Sequence, residues 1–89
     1  MFQEKEKREE KIKAYDTLIT MLGNLYNEIE ITPKLNNIDR ENLKIAVKKT
    51  LYFCISKIIY IKKQMTVEID NRKIESQTYI NYKSKFNIK

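Results

Sequence analysis

The fold of this chain is decided by one apolar stretch near its middle, which runs Leu51-Tyr52-Phe53-Cys54-Ile55-Ser56-Lys57-Ile58-Ile59-Tyr60-Ile61. Nine of these eleven residues are apolar or aromatic, and such a run is compatible with a buried β-strand. The flanking residues favour a helix, because apolar side chains continue on both sides at alternating steps of three and four. That stripe contains Val47, Leu51, Cys54, Ile58, Ile61 and Met65.

We therefore predict a helix over residues 40–65, with Asp39 as its N-cap. Lys62 and Lys63 near its end suit the helix dipole. Since Leu51–Ile61 is apolar almost all round, the helix should be buried on more than one side. A single neighbouring helix cannot cover it, which predicts a dimer or a larger assembly.

The preceding segment, residues 4–31, is predicted to be a second amphipathic helix. Leu18 and Leu25 widen its apolar stripe, and Pro33 ends the helix. Gly23 costs about 1 kcal/mol relative to alanine, or it marks a close helix crossing. The stripe consists of Ile12, Tyr15, Ile19, Leu22, Tyr26 and Ile29.

A short polar connection between the two helices predicts antiparallel neighbours. We predict an all-α fold in which residues 1–66 form an antiparallel helical hairpin that dimerises into a four-helix bundle. The chain has 89 residues, one cysteine and no histidine, so a disulfide or a zinc site is not available to support so small a core.

Residues 67–89 are predicted to form a C-terminal appendage of open structure. Residues 66–69 alternate like a strand, and Asp70 and Asn71 are typical of a turn. Residues 74–86 are compatible with a returning strand or with a short helix, and the remainder with partial disorder.

The chain carries a net charge of +6, and residues 34–63 contain eight basic and two acidic side chains. Such a segment favours nucleic acid, an anionic membrane or an acidic protein as partner. It is also typical of an AT-rich coding sequence, and of lysines that cover the edges of a core. The candidate contacts to nucleic acid or to an acidic partner are Arg40, Lys44, Lys48, Lys49, Lys62 and Lys63.

Six tyrosines in 89 residues indicate a protein interface, because tyrosine buries area while it keeps a polar group. Together with the apolar circumference of the second helix, they give a predicted partner or oligomer interface. Its residues are Tyr52, Phe53, Ile55, Ile59, Tyr60, Tyr79 and Tyr82.

The residues needed for catalysis are missing from the sequence. There is no histidine for acid–base chemistry, and Gly23 alone cannot form a phosphate loop. Cys54 lies on the core stripe, where we interpret it as a small buried hydrophobe. We expect a non-enzymatic protein with no cofactor, metal or small-molecule substrate.

No membrane span is expected, since the densest apolar stretch has eleven residues and a span needs about 20. Residues 1–13 are charged throughout and do not resemble a signal peptide. Together with the single cysteine, these features predict a cytoplasmic protein.

One part of the chain consists of Leu25-Tyr26-Asn27-Glu28-Ile29, a short polar loop and a second amphipathic helix. It loosely resembles the bacteriocin-immunity proteins of the enterocin type. Those are basic helical bundles without catalysis. The resemblance covers less than half of the chain and lacks a third and a fourth helix, so no family is assigned.

By analogy, we predict a protein-interaction module, such as an inhibitor, immunity or accessory factor of a phage or other mobile element. The alternatives are a small basic nucleic-acid-binding regulator that uses the lysine-rich second helix, and a structural assembly subunit.

Overall fold

The computed structural model describes residues 2–65 and 71–88, which form three helices. Helix α1 is Phe2–Ile31, α2 is Asn37–Met65 and α3 is Asn71–Phe86. The predicted all-α class is confirmed. Of the two structures that the sequence allowed for residues 74–86, a strand and a helix, the chain forms the helix. The strand predicted at residues 66–69 lies outside the described residues.

Helix α2 begins earlier than predicted, because Asn36 and not Asp39 is its N-cap. The side-chain oxygen of Asn36 accepts a 2.7 Å hydrogen bond from the backbone N–H of Asp39, three residues into the helix. Asparagine and aspartate are equally good caps. The sequence 36–39 offered both, and the chain uses the first.

The end of α1 is held by a side chain of α2. The last carbonyl groups of a helix have no partner within the helix. The Arg40 guanidinium donates to the carbonyl oxygens of Ile29 and Glu30 in α1, and to that of Leu35 in the loop. Arg40 therefore fixes the turn between the two helices.

Helices α1 and α2 run antiparallel along most of their length. Tyr26 lies beside Lys44 near the turn, whereas Lys11 and Tyr60 line the same cavity at the other end. The predicted stripe of α2 forms the core of this pair, in which Val47, Leu51, Cys54, Ile58 and Ile61 are all buried.

Helix α3 lies across one side of the α1–α2 pair. Its last residue, Phe86, is buried against the core of the pair. Asn87 then takes a left-handed conformation with φ of 58°, and the Ile88 N–H bonds to the Lys83 carbonyl at 3.0 Å. This Schellman-type end turns Ile88 back into the core, where it is 5% exposed.

The end of α3 lies close to Gly23 of α1. A Cβ atom added at Gly23 would overlap the ring of Phe86. Gly23 therefore marks a close contact between helices, as the sequence suggested. Only a residue without a side chain leaves room there for the aromatic ring.

The molecule measures 52 × 25 × 17 Å along its principal axes. Across residues 2–65 and 71–88, no helix combines the length and the apolarity that a membrane crossing requires.

Candidate interaction surface

The predicted interface residues divide into two groups in the structure. Ile55 and Ile59 are buried within the chain's own core. Tyr52, Tyr79 and Tyr82 are half-buried and pack on that core. Phe53 and Tyr60 are 57% and 61% exposed, so they alone of the seven remain available to a partner.

The three half-buried tyrosines join α3 to the other two helices. The rings of Tyr52 and Tyr79 meet edge to face at 5.9 Å between centroids, a favourable geometry for aromatic pairs. The Tyr79 hydroxyl lies 3.0 Å from the Ser56 hydroxyl. These contacts place α3 on the side of α2 that carries Tyr52 and Ser56.

A hydrogen bond from Tyr82 to Asp16 fastens α3 to α1. The Tyr82 hydroxyl donates to the Asp16 carboxylate at 2.7 Å. Partial burial, and then the carboxylate, raise the pKa of Tyr82 well above its usual range, because both disfavour the phenolate.

The dimer was predicted because one helix cannot cover the whole circumference of α2. The structure provides a second cover in α3, which the sequence left open. Ile55 and Ile59 belong to the cluster that contains Phe86 and Ile88. Any partner must therefore use another side of the helix pair.

At least three of the six predicted basic contacts bind carbonyl or carboxylate groups of the chain itself. Arg40 binds the end of α1. Lys44 forms a 2.6 Å ion pair with Glu30, which raises the pKa of Lys44 and lowers that of Glu30. Lys63 pairs with Glu75 of α3 at 3.4 Å.

The other three basic candidates lie apart from one another. Lys48 lies 5.9 Å from the centre of the Tyr52 ring, Lys62 lines a depression beside Tyr82, and Lys49 is exposed. The predicted basic residues do not form one surface.

A different surface is exposed on the side opposite α3. In a helix each residue turns the chain by about 100°, so side chains two positions apart point in nearly opposite directions. Asp16 and Gly23 contact α3, and Leu18 and Leu25 follow each of them by two residues. Both leucines, which were predicted to widen the core stripe, are about half exposed.

This surface, which we call the open face, consists of one stripe on each helix at alternating steps of three and four. Every side chain in both stripes is exposed. On α1 the stripe is Lys11, Ala14, Leu18, Met21, Leu25 and Glu28; on α2 it is Asp39, Leu43, Ala46, Thr50, Phe53, Lys57 and Tyr60.

The middle of the open face is an apolar groove between the two helices. It holds a cavity of about 420 Å³. Leu18, Met21 and Leu25 line it from α1, and Thr50 and Cys54 from α2. Met21 is 63% exposed. A contiguous apolar surface of this kind is typical of an interaction site.

The two ends of the open face carry opposite charges. At the end away from the turn, a cavity of about 570 Å³ is lined by Lys7, Arg8, Lys11 and Lys57, and by none of the described carboxylates. At the turn end, the stripes finish in Glu28 on α1 and Asp39 on α2. The face is therefore polarised along its length.

The signal for the open face was present in the sequence. Both stripes keep the same three-four spacing as the core stripes, but alanine, threonine and charged residues interrupt them. A hydrophobic pattern with these interruptions is easily taken for the solvated side of a helix. The structure distinguishes the open face from the core, because α3 covers only the opposite side of the α1–α2 pair.

Nothing in the described part of the chain forms a metal site or a reactive thiol. Residues 2–65 and 71–88 contain no group of three His, Cys, Asp or Glu side chains that could hold a metal ion. Cys54 is buried, as predicted, and its burial raises the pKa of the thiol, which opposes the reactive thiolate form.

No protein-family model, curated protein or solved structure matches the chain.

Proposed function

We propose that this protein is a non-enzymatic protein-interaction module whose docking surface is the open face. The observation that carries the proposal is the exposed apolar groove between α1 and α2. A small inhibitor, immunity or accessory factor of a phage or other mobile element acts in this manner, by covering a surface of its partner. The buried free thiol of Cys54 suits a reducing cytoplasm.

The spacing of the apolar side chains supports a helical partner. Side chains at alternating steps of three and four form a groove that accepts the apolar side of another helix. The aromatic and large aliphatic groups needed for a central anchor, Phe53, Met21 and Leu25, lie near the middle of the face.

The nucleic-acid alternative has less support. Arg40, Lys44 and Lys63 bind carbonyl or carboxylate groups of the chain itself. A phosphate backbone is recognised by a continuous basic surface. The remaining candidates on α2 are separated, because Lys49 lies about 100° from Lys48 around the helix and Lys62 lies about 21 Å from Lys48 along it.

A photocrosslinking residue at Met21 tests the proposal in cells of the native host. Ile80 of α3 is the matched control, because it is 55% exposed against 63% for Met21 and lies away from the open face. We expect a protein adduct from position 21, insensitive to nuclease, and none from position 80. Mass spectrometry identifies the crosslinked chain.

Two results would overturn the proposal. Adducts of equal yield from both positions would show that the contacts are not specific to the open face. A nuclease-sensitive adduct at position 21 would transfer the function to the nucleic-acid alternative.

A further inference from the structure

We propose that the partner on the open face is a second copy of this chain, stacked antiparallel so that the two hairpins form a four-helix bundle. The inference rests on the proposed function, because it names the occupant of the same surface. Its basis is that the open face is complementary to itself in charge and in apolar content.

The charges of α1 are arranged symmetrically about the middle of its stripe. Lys11 and Glu28 each lie about 13 Å from the midpoint between Leu18 and Met21, at about 1.5 Å per residue. A two-fold axis that crosses the groove at this midpoint brings Lys11 of one chain to Glu28 of the other. The same axis produces the pair twice.

Helix α2 has the same arrangement. Asp39 lies toward the turn and Lys57 toward the opposite end, and their midpoint is within about 3 Å of Thr50 along the helix axis. Thr50 and Leu22 line the same cavity, and Leu22 lies about 4 Å from the α1 midpoint on the side of the turn. The two midpoints are therefore offset by roughly 7 Å along the helices. The axis that pairs Lys11 with Glu28 brings the acidic end of α2 toward the basic end of the second copy's α2, without setting Asp39 directly opposite Lys57.

Small residues allow the two faces to approach each other. Ala14 on α1 and Ala46 and Thr50 on α2 alternate with the large side chains of the open face. Alternation of small and large residues lets the side chains of facing helices interdigitate. Phe53 and Met21 are the large groups that would enter the facing groove.

The size of the face agrees with a stable dimer. Its stripes extend for about 30 Å along each helix, and two packed helices are about 20 Å across. The product, roughly 600 Å², approaches the burial of about 800 Å² per partner in standard interfaces. We expect association in the micromolar range.

An unrelated acidic helix would satisfy only one end of the face. It would neutralise Lys11 and Lys57, but it would place its charge against Glu28 and Asp39 if it continued along the groove. A second copy in antiparallel orientation satisfies both ends, and the observations favour it for this reason.

Sedimentation equilibrium on charge-swapped variants at low ionic strength tests this arrangement. Lys11→Glu alone places a carboxylate opposite Glu28, and Glu28→Lys alone places an ammonium group opposite Lys11. We expect each single variant to raise the dimer dissociation constant by about tenfold or more. The double variant restores opposite charges, and its dissociation constant should lie within about threefold of the wild-type value.

The control is Lys13→Glu, which changes the net charge equally at an exposed position outside the stripe and should leave the dissociation constant unchanged. A wild-type chain that stays monomeric across the micromolar range overturns the second copy as occupant. A dimer that ignores the single swaps, or that the double variant fails to restore, overturns the antiparallel orientation. Either failure leaves the proposed function standing if position 21 still crosslinks to another protein.

Discussion

The two sides of the α1–α2 pair differ in what completes them. On one side, α3 and the residues that follow it bring Phe86, Ile88 and two tyrosines, Tyr79 and Tyr82, onto the core. On the other, side chains at the same helical spacing stay exposed around a groove. One side of the helix pair is covered by the chain's own third helix, and the other side is exposed. Apolar content alone does not distinguish the two sides.

What separates the two sides is local geometry. Gly23 leaves room for the Phe86 ring, and Asp16 accepts the Tyr82 hydroxyl. On the open face, the middle of the α1 stripe is formed by Ala14, Leu18 and Met21, which carry no carboxylate. The covered side fits α3 in particular, whereas the open face fits the apolar side of a helix in general.

The largest expected effect breaks the core that both sides share. Ile58 is fully buried, so Ile58→Asp places an unpaired carboxylate in the core and should cost more than about 3 kcal/mol of the free energy of unfolding. Phe53→Asp, on the same helix but on the open face, should change it by less than about 1 kcal/mol. Urea titrations followed by circular dichroism at low protein concentration measure both, and equal losses would show that the core is misplaced.

The next effect concerns the fit of α3. Gly→Ala in a helix ordinarily stabilises by about 1 kcal/mol. Gly23→Ala should instead lower the free energy of unfolding by about 1 to 3 kcal/mol, because the added methyl group displaces the Phe86 ring. The neighbouring exposed residue provides a control, since Asn24→Ala should be slightly stabilising. A more stable Gly23→Ala protein would contradict the position of α3.

The smallest effect concerns the hydrogen bond between α3 and α1. Tyr82→Phe removes the donor to Asp16 and should cost about 1 kcal/mol. Tyr79→Phe, which loses an exposed bond to Ser56, should cost less. Thermal unfolding of both variants compares the two contacts, and an equal or larger loss at Tyr79 would be inconsistent with the burial of Tyr82.

The same bond predicts a pH dependence. The folded chain raises the pKa of Tyr82, so it holds the phenolic proton more tightly than the unfolded chain does. The stabilisation is complete below the unfolded pKa of about 10 and is lost as the pH rises above that value. Unfolding between pH 8 and about 11 should show this decline, and Tyr82→Phe should reduce it.

The core of the helix pair could be predicted from the sequence because it repeats at a fixed spacing. Val47, Leu51 and Ile58 keep one period through the whole of α2, and their burial follows from it. Helix α1 could be predicted from the same spacing, and its end could be predicted from Pro33.

The position of α3 could not be predicted, because it depends on contacts between residues far apart in the chain. Tyr82 reaches Asp16, and Phe86 reaches Gly23, across more than half of the sequence. Residues 74–86 are compatible with two secondary structures, so the sequence could not show that they cover Ile55 and Ile59. We predicted Ile55 and Ile59 to lie at an interface because the sequence did not show that α3 buries them.

The most direct test of the account compares two matched surface variants, Phe53→Lys on the open face and Ile80→Lys on α3. Their side chains are 57% and 55% exposed, and neither change should unfold the chain. In sedimentation equilibrium we expect the wild type and Ile80→Lys to be dimers in the micromolar range and Phe53→Lys to be a folded monomer. A monomeric wild type, or two variants that associate equally, would contradict the account.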